Sequence, residues 1–327
     1  MREMARTRRG AWTAALLAVT VTGSLVSGCT SGGGAPDDGR SPSQSRSPSE
    51  SKTGTAKAGP VLAVKIDNAP DARPQTGLDA ADVVYAEQVE GGLSRLMAVF
   101  ASTLPKAVGP VRSARESDLE LLRQFHEPTL AFSGAQHKLL PLIADAPLDP
   151  EPAGKVPDAW YRGTGKAAPH NLYLRPRQLM DSVPGDAALT TGFRFGSAPA
   201  GGTPEASRTV RFPSARFTFT WSADRGRWLV AMDGTPTVTT DGKTVAPATV
   251  VIQYVKVRTS RYHDFLGNNT PFTESVGTGT AQVLRDGRAF DAKWTRPEAA
   301  DGTRFTTPDG APMNFAPGQV WVVLAKA

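Results

Sequence analysis

The stretch from Asp82 to Ala101 reads DVVYAEQVEGGLSRLMAVFA and contains two strand-like segments separated by a pair of glycines. Short runs of apolar, β-branched and aromatic residues bounded by a glycine turn are typical of adjacent strands. Gly91-Gly92 predicts a two-residue hairpin loop, because glycine tolerates the positive φ angles that such turns require. The two segments are therefore predicted to be central strands of a sheet.

The same loop predicts which side chains share a face. If Glu90 opposes Leu93, Gln88 opposes Arg95, and Arg95 lies diagonally from Glu90 on one face. Glu87 then points to the other face. This register favours a solvated Glu90–Arg95 ion pair. An alternative, in which Glu87 and Glu90 form the carboxylate pair of a glycosidase, requires a bulge or a different turn.

The segments around this hairpin complete an α/β pattern. An apolar run from Val61 to Ile66 precedes it, and a helical stretch near Ala114 to His126 and a short strand near Thr129 to Ser133 follow it. Two further helices are expected near His137 and Arg177. Residues 60–195 are therefore predicted to form an N-terminal α/β domain with a mixed sheet.

The second half of the chain has a different pattern. Alternating apolar runs, such as Phe217 to Trp221 and Val320 to Val322, are punctuated by five Asp-Gly pairs, at residues 233, 241, 286, 301 and 309. Alternation with such turns is typical of antiparallel strands. We predict a linker at 196–208 and a C-terminal antiparallel β domain at 209–327. The fold class is then α+β overall.

The first 28 residues have the pattern of a secretory signal: a basic start, an apolar run and small residues before a cut site. Val26-Ser27-Gly28-Cys29 reads as a lipobox, and Cys29 is the only cysteine in 327 residues. We expect lipidation at Cys29, which anchors the chain at the extracytoplasmic face of the cell membrane. With its thiol used in this way, cysteine catalysis, disulfides and Cys-ligated metals are excluded.

A Ser/Gly/Pro-rich segment at 29–59 is predicted to be a disordered tether, because it has almost no large apolar side chains to bury. About 30 such residues span roughly 30 Å as a random coil. The formal charge of +6 falls to +3 beyond residue 28, with 33 Lys and Arg against 30 Asp and Glu. This nearly even balance of basic and acidic residues is not typical of a nucleic-acid-binding protein. The composition, rich in Ala, Gly, Pro and Arg, favours a high-GC Gram-positive source.

The segment Gly109 to Glu116 is the most informative about a site. Ser113 and Glu116 have the spacing of a capping box at a helix start. Arg112 and Arg115 would then lie beside the positive end of the helix dipole, which favours anions. Either a protein carboxylate, such as Asp67, Asp82 or Glu87, or the phosphate or carboxylate of a ligand is expected there. Ser113 as a nucleophile is a third and weaker alternative.

The segment Ala168 to Tyr173 offers an imidazole and an amide, in His170 and Asn171, after a proline that disfavours helix. His170 is the first candidate for a general acid or base, and His263-Asp264 is a weaker one. The chain has four histidines and no His-Glu-x-x-His spacing, so no metal site is predicted. No motif for a nucleotide or another cofactor is present.

Several of these segments together resemble the YerB lipoproteins, long catalogued as domain of unknown function 3048. They are Val64 to Asn68, Ala72 to Leu78, Ala81 to Tyr85, Glu90 to Gly92, Gly109 to Arg115, Ala168 to Tyr173 and, near the end, Gly287 to Trp294 and Phe315 to Trp321. The resemblance implies a lipoprotein with two consecutive domains and implies no catalytic residues.

Three hypotheses follow for function. The first is a non-catalytic envelope module that binds an anionic wall component or a partner protein through a polar surface, formed by Asp67, Arg73, Arg112, Arg115, His170 and Asn171. The second is an enzyme acting on wall glycan or stem peptides, with Glu87 or Glu90 and His170 as acid and base. The third is a structural member of an envelope complex.

Overall fold

The computed structural model describes residues 59–264 and 267–327. The predicted signal at 1–28, the lipidation site Cys29 and all but the last residue of the predicted tether lie outside the described residues. In the part that is described, no helix is long and apolar enough to cross a membrane.

Strands dominate the described residues, and the two α-helices are short. The helices are α1 (Glu116–Leu122) and α2 (Leu140–Asp145). The strands of the first half are β1 (Leu62–Asp67), β2 (Val83–Gln88), β3 (Ser94–Phe100), β4 (Thr129–Phe132), β5 (Asp149–Pro152), β6 (Trp160–Arg162) and β7 (Leu172–Leu174). Those of the second half are β8 (Thr203–Pro204), β9 (Ser207–Phe212), β10 (Ala215–Ser222), β11 (Arg227–Met232), β12 (Thr235–Pro236), β13 (Thr249–Val255), β14 (Val257–His263), β15 (Asn269–Thr273), β16 (Gly277–Arg285), β17 (Arg288–Arg296), β18 (Arg304–Thr306) and β19 (Val320–Lys326).

One mixed sheet runs through both halves of the chain. Its strand order is β18-β17-β16-β13-β19-β2-β3-β1-β4-β5, with β8 paired to β17. The last strand, β19, lies between β13 and β2 and is parallel to both. Strands β9 to β12 form a separate antiparallel sheet, and β14–β15 and β6–β7 form two-stranded ribbons.

The large sheet is buried on both faces. The four-stranded sheet packs against one face, where Phe217 and Phe219 contact Trp321 at ring-centroid distances of 6.1 and 6.0 Å. Helix α1 covers part of the other face, where Leu121 and Leu122 join the core. Because successive side chains of a strand point to opposite faces, β19 buries apolar residues in both layers, which explains its nearly continuous apolar sequence.

Two parts of the predicted fold class need correction. The mixed sheet of the first half is present, but this half is mostly strand, with two helices of seven and six residues in place of the longer helical stretches expected. The second half is not purely antiparallel, because β19 pairs in parallel with β13. The nearly continuous apolar sequence of β19 favours a central strand with parallel neighbours. The alternation of apolar residues alone does not distinguish a parallel from an antiparallel strand.

The hairpin register predicted from Gly91-Gly92 is wrong by one residue. Glu87, and not Gln88, opposes Arg95, and Gln88 opposes Ser94. The turn is longer than two residues: Glu90–Gly92 forms a 3-10 turn, and the Val89 amide donates to the Leu93 carbonyl. Because side chains alternate along a strand, this shift puts Glu87 on the same face as Arg95.

The predicted capping box at Ser113 is also wrong, because the N-cap lies two residues later, at Arg115, and α1 begins at Glu116. Arg115 is the N-cap residue, and its amide donates to the Asp118 carboxylate at 2.7 Å. The Ser113 hydroxyl lies 3.4 Å from that of Ser133. The helix has only seven residues, so its dipole is a minor part of the local electrostatics.

All described residues fall in one compact unit. Strands from both sides of the predicted linker at 196–208 share the large sheet. The division into two domains, at 60–195 and 209–327, therefore stays a prediction.

Candidate functional site

Three charged residues form one row across the central strands. Arg95 on β3 is directly opposite Asp67 on β1 and Glu87 on β2. Directly opposed residues project to the same face. The row lies on the face that α1 covers, next to a second row formed by Lys65, Met97 and Tyr85. The geometry thus places an arginine between two carboxylates.

Glu87 is not available to Arg95, because it belongs to a buried ion-pair network. The Lys65 ammonium contacts Glu87 and lies 2.7 Å from Asp118. The Ser117 hydroxyl donates to the second Glu87 oxygen at 3.0 Å. All four side chains are buried. Burial lowers the pKa of Lys65 to about 8, and Asp118 opposes that shift, so Lys65 is mostly charged at neutral pH.

Asp67 is likewise occupied by other partners. Its Oδ2 atom lies 2.8 Å from Nδ1 of His170 and 3.1 Å from Nε of Arg112. Its Oδ1 atom accepts a hydrogen bond from the Ala69 amide. A carboxylate at Nδ1 favours the tautomer that carries the proton there, which leaves Nε2 of His170 as an acceptor.

Glu90 is held by Arg115, and not by Arg95 as the predicted register implied. Nε and Nη2 of Arg115 donate to the two Glu90 oxygens at 2.6 and 2.7 Å. Thr270 on β15 donates a third hydrogen bond. Although burial opposes ionisation, the hydrogen bonds and charge of Arg115 lower the pKa of Glu90 to about 2. Glu90 is therefore a carboxylate at neutral pH and cannot act there as a general acid.

Arg95 is left without a carboxylate partner. Among the described residues, its side chain makes one hydrogen bond, from Nη1 to the Ser113 carbonyl at 3.0 Å, and no ion pair. Burial, followed by repulsion from Arg115, lowers the pKa of Arg95 to about 9, with Glu90 opposing the shift. The guanidinium still carries its charge at neutral pH, and the residue as a whole is partly exposed.

Arg95 lines a cavity of about 730 Å³. The strand ends, the 112–116 segment, the 135–139 turn and the β14–β15 ribbon form its walls. Arg112, Arg115, Asp67 and Glu90 line it with Arg95. So do three of the four histidines of the chain, His137, His170 and His263. Segments distant in sequence therefore bring most of the charged candidates to one space.

Arg73 and Asn171 do not line this cavity. Arg73 binds Asp233 at 2.8 Å and also donates to the Asn68 and Met232 carbonyls, so it fastens the first half to the turn after β11. It borders a smaller cavity, of about 310 Å³, walled largely by prolines and threonines. Asn171 accepts from Arg162 and donates to the Gly163 carbonyl within its own loop.

Sequence reasoning missed two contributors to this site. The register predicted from the sequence gives Arg95 a solvated ion pair, and it does not predict the β14–β15 ribbon as a wall of the site. The ribbon is held over the site by hydrogen bonds from Thr270 to Glu90 and from Ser260 to Glu116 at 2.5 Å. The only sequence signal for it was His263-Asp264, the weaker histidine candidate.

Gly92 is expected to be essential for the loop that presents Glu90. Its φ is +71°, and a Cβ there would lie 2.5 Å from Cβ of Pro213. Gly92→Ala should lower the free energy of unfolding by about 2–4 kcal/mol, since left-handed strain and overpacking add. The matched control is Gly91→Ala, where φ is +67° and the space is open, with an expected cost of about 1–2 kcal/mol. Equal effects in urea denaturation would contradict the close contact with Pro213.

The arrangement is suited to binding a negatively charged group, and it includes one potential proton carrier. Arginine donors face the cavity, and the His170–Asp67 pair can accept or release a proton at Nε2. In residues 59–264 and 267–327, no group of three or more His, Cys, Asp or Glu side chains has the geometry to hold a metal ion.

These features define a mostly β protein with a charged cavity at one end of its central strands. Residues 47–189 match the N-terminal domain of the family described as "Protein of unknown function (DUF3048)", and residues 208–322 match its C-terminal domain. The chain belongs to this family. The family boundary falls close to the predicted linker.

A relative in Bacillus subtilis (strain 168), YerB, is named as a candidate lipoprotein. The two sequences are 27% identical over 279 residues, which is 80% of each protein. The crystal structure of YerB from Bacillus subtilis superposes with a TM-score of 0.69 at 22% identity. The superposition covers 83% of this chain and 92% of that one, and it shows a shared fold.

Proposed function

We propose that this protein is a lipid-anchored module at the extracytoplasmic face of the cell membrane, and that its cavity binds an anionic component of the cell envelope. The observation that carries the proposal is Arg95, a charged side chain that lines the cavity without a carboxylate partner among the described residues. A bound anion would replace the water that such a partly buried charge loses.

The anchor rests on two separate supports. The sequence Val26-Ser27-Gly28-Cys29 has the pattern of a lipobox, and the Bacillus subtilis relative is named as a candidate lipoprotein. A diacylglyceryl group at Cys29 would supply the two chains that stable anchoring requires. Globomycin treatment should cause the unprocessed form to accumulate, and a Cys29→Ala variant recovered at full level in the membrane fraction would contradict the anchor.

The binding proposal is tested most cleanly at Arg95. Arg115 is a poor target, because its removal would leave Glu90 partly buried and unpaired. Full-length protein in detergent should cosediment with isolated cell-wall polymer, and Arg95→Gln should weaken that binding about tenfold or more, the usual cost of a charge-assisted hydrogen bond.

The matched control is Arg211→Gln. Arg211 is exposed on β9, opposite Arg216, and does not line the cavity. Binding by the control should equal that of the wild type. Equal binding by Arg95→Gln and the wild type would contradict the proposal. If the wild-type protein copurifies with a partner protein and has no affinity for the polymer, the result would favour a structural role in an envelope complex.

A second candidate function is acid/base catalysis on wall glycan or stem peptides. The 2.8 Å contact between His170 and Asp67 at the cavity wall favours it, because a carboxylate orients a catalytic imidazole in this way. The carboxylates first considered are less suited to it: Glu87 is buried in the Lys65 network, and Glu90 is held ionised by Arg115.

Digestion of purified peptidoglycan, read by mass spectrometry, separates the two functions. A binding module leaves the muropeptide profile unchanged. New muropeptides that disappear in His170→Asn, and persist in the control His126→Asn, would establish an enzyme. His126 is exposed and does not line the cavity.

A further inference from the structure

We propose that the group bound in this cavity is a phosphate, held jointly by Arg95 and Arg112. The inference rests on the proposed anion-binding function and specifies the chemistry of the ligand. It derives from the number of unused guanidinium donors, from the lack of a carboxylate partner for Arg95 among the described residues and from the cavity's size.

Both arginines have donors that the described residues do not use. Arg95 uses only Nη1, toward the Ser113 carbonyl. Arg112 lies 3.1 Å from Asp67 through Nε, but that buried atom lacks hydrogen-bond geometry, and no described residue accepts from its two Nη groups. Both side chains line the same cavity, and repulsion from Arg112 is a minor cause of the lowered pKa of Arg95, after burial and repulsion from Arg115.

The number of unused donors favours phosphate over carboxylate. A guanidinium group binds two oxygens with two parallel hydrogen bonds. A carboxylate has two oxygens, so a single guanidinium group can bind both of them. A phosphate group presents three or more oxygens in a tetrahedral arrangement, so it can accept paired hydrogen bonds from two guanidinium groups.

Three arginines and four acidic side chains line the cavity, and Arg95 is the arginine that has no carboxylate partner among the described residues. Each of the four acidic side chains is already engaged: Asp67 by His170 and Arg112, Glu90 by Arg115, Glu116 by Ser260, and Asp264 by Asn268. The negative charge of a phosphate group would compensate the charge of Arg95.

The cavity is also larger than a phosphate group requires. Cavities of about 300–1,000 Å³ typically bind small organic molecules, and this one has about 730 Å³ with Val89, Leu93 and Leu139 in its walls. The phosphate is therefore part of an ester. A phosphorylated wall polymer and an anionic lipid headgroup share this chemistry.

Isothermal titration of the full-length protein in detergent tests the inference with glycerol phosphate, inorganic phosphate and acetate. Glycerol phosphate should bind at least about tenfold more tightly than acetate. Arg95→Gln should lose about tenfold or more in affinity for glycerol phosphate, while Arg211→Gln should match the wild type.

Arg95→Lys keeps the charge and removes the fork. It should retain weak binding and lose the preference for phosphate over acetate, and it serves where Arg95→Gln does not fold. Vesicles of phosphatidylcholine with and without phosphatidylglycerol then identify the source. Competition by phosphatidylglycerol vesicles indicates a lipid headgroup, and competition by soluble glycerol phosphate alone indicates a free or polymeric ester.

The possible failures are distinguishable. If acetate binds as tightly as glycerol phosphate and both depend on Arg95, the phosphate inference is overturned while anion binding stands. If none of the three anions binds the wild-type protein, both proposals are overturned.

Discussion

Lys65→Met is expected to lower the free energy of unfolding by about 3–5 kcal/mol, the range for breaking one side of a buried ion pair. Lys65, Glu87 and Asp118 are all nearly inaccessible to water. Methionine has a similar length and fills the same space, so the loss of packing is small. The cost arises because the two carboxylates remain buried without their counterion. Urea denaturation followed by circular dichroism measures it.

Lys155→Met is the matched control. Lys155 also contacts two carboxylates, Asp149 at 3.3 Å and Glu151 at 2.8 Å, but 46% of its side chain is exposed. Solvent screens such a pair, and the expected loss is at most about 1 kcal/mol. Equal effects of the two substitutions would mean that the Lys65 network is solvated, and the interpretation of the row behind the cavity would have to change.

The part of this site that the sequence can predict depends on the register between two strands, β2 and β3. The sequence identifies β2 and β3 correctly from their apolar runs, and it singles out Glu87, Glu90 and Arg95 as the charged residues near the turn that joins them. It places the turn at Gly91-Gly92, whereas the 3-10 turn begins at Glu90. That difference of one residue exchanges the faces of the side chains. A local turn rule cannot detect it, because the register is fixed by long-range contacts of Gly92 with Pro213 and Ser214.

Chemical type alone groups Asp67, Arg73, Arg112, Arg115, His170 and Asn171 into one predicted polar surface, and it does not predict which of them converge. The cavity brings four of the six together, without Arg73 and Asn171. The unpaired state of Arg95 could not be derived in the same way. It results from three separate competitions, in which Lys65 occupies Glu87, His170 and Arg112 occupy Asp67, and Arg115 occupies Glu90. The residues that occupy these carboxylates are all distant from Arg95 in sequence. Only the folded sheet therefore shows that Arg95 is the residue left without a carboxylate partner.

The sequence also favoured separate α/β and antiparallel β domains, and the position of β19 argues for mutual dependence. Alternating apolar residues near Val320 are compatible with an antiparallel strand at the end of the second half. The structure instead inserts β19 between β13 and β2, so the last strand of the chain joins strands from both halves. Non-local pairing of this kind has no local sequence signal.

Trp321→Ala is therefore expected to destabilise both halves together, by about 3–5 kcal/mol, the usual cost of truncating a buried aromatic side chain. Trp321 is fully buried and contacts Phe217 and Phe219 of the four-stranded sheet. Its indole nitrogen donates to Gln319 at 3.0 Å. The substitution would leave a cavity where the two sheets meet, and it would loosen the strand that joins β13 to β2.

Hydrogen exchange read by mass spectrometry separates cooperative from independent unfolding. If the halves depend on β19, peptides from β3 and β10 should lose protection together in Trp321→Ala. Trp221→Ala is the control, because Trp221 is only partly buried and packs against Trp228 near the end of β10. Its smaller cost should appear mainly in β9 to β12. Loss of protection in β10 with full protection of β3 in Trp321→Ala would instead favour two independent domains, divided at the predicted linker, because a strand essential to both cannot be weakened for one alone.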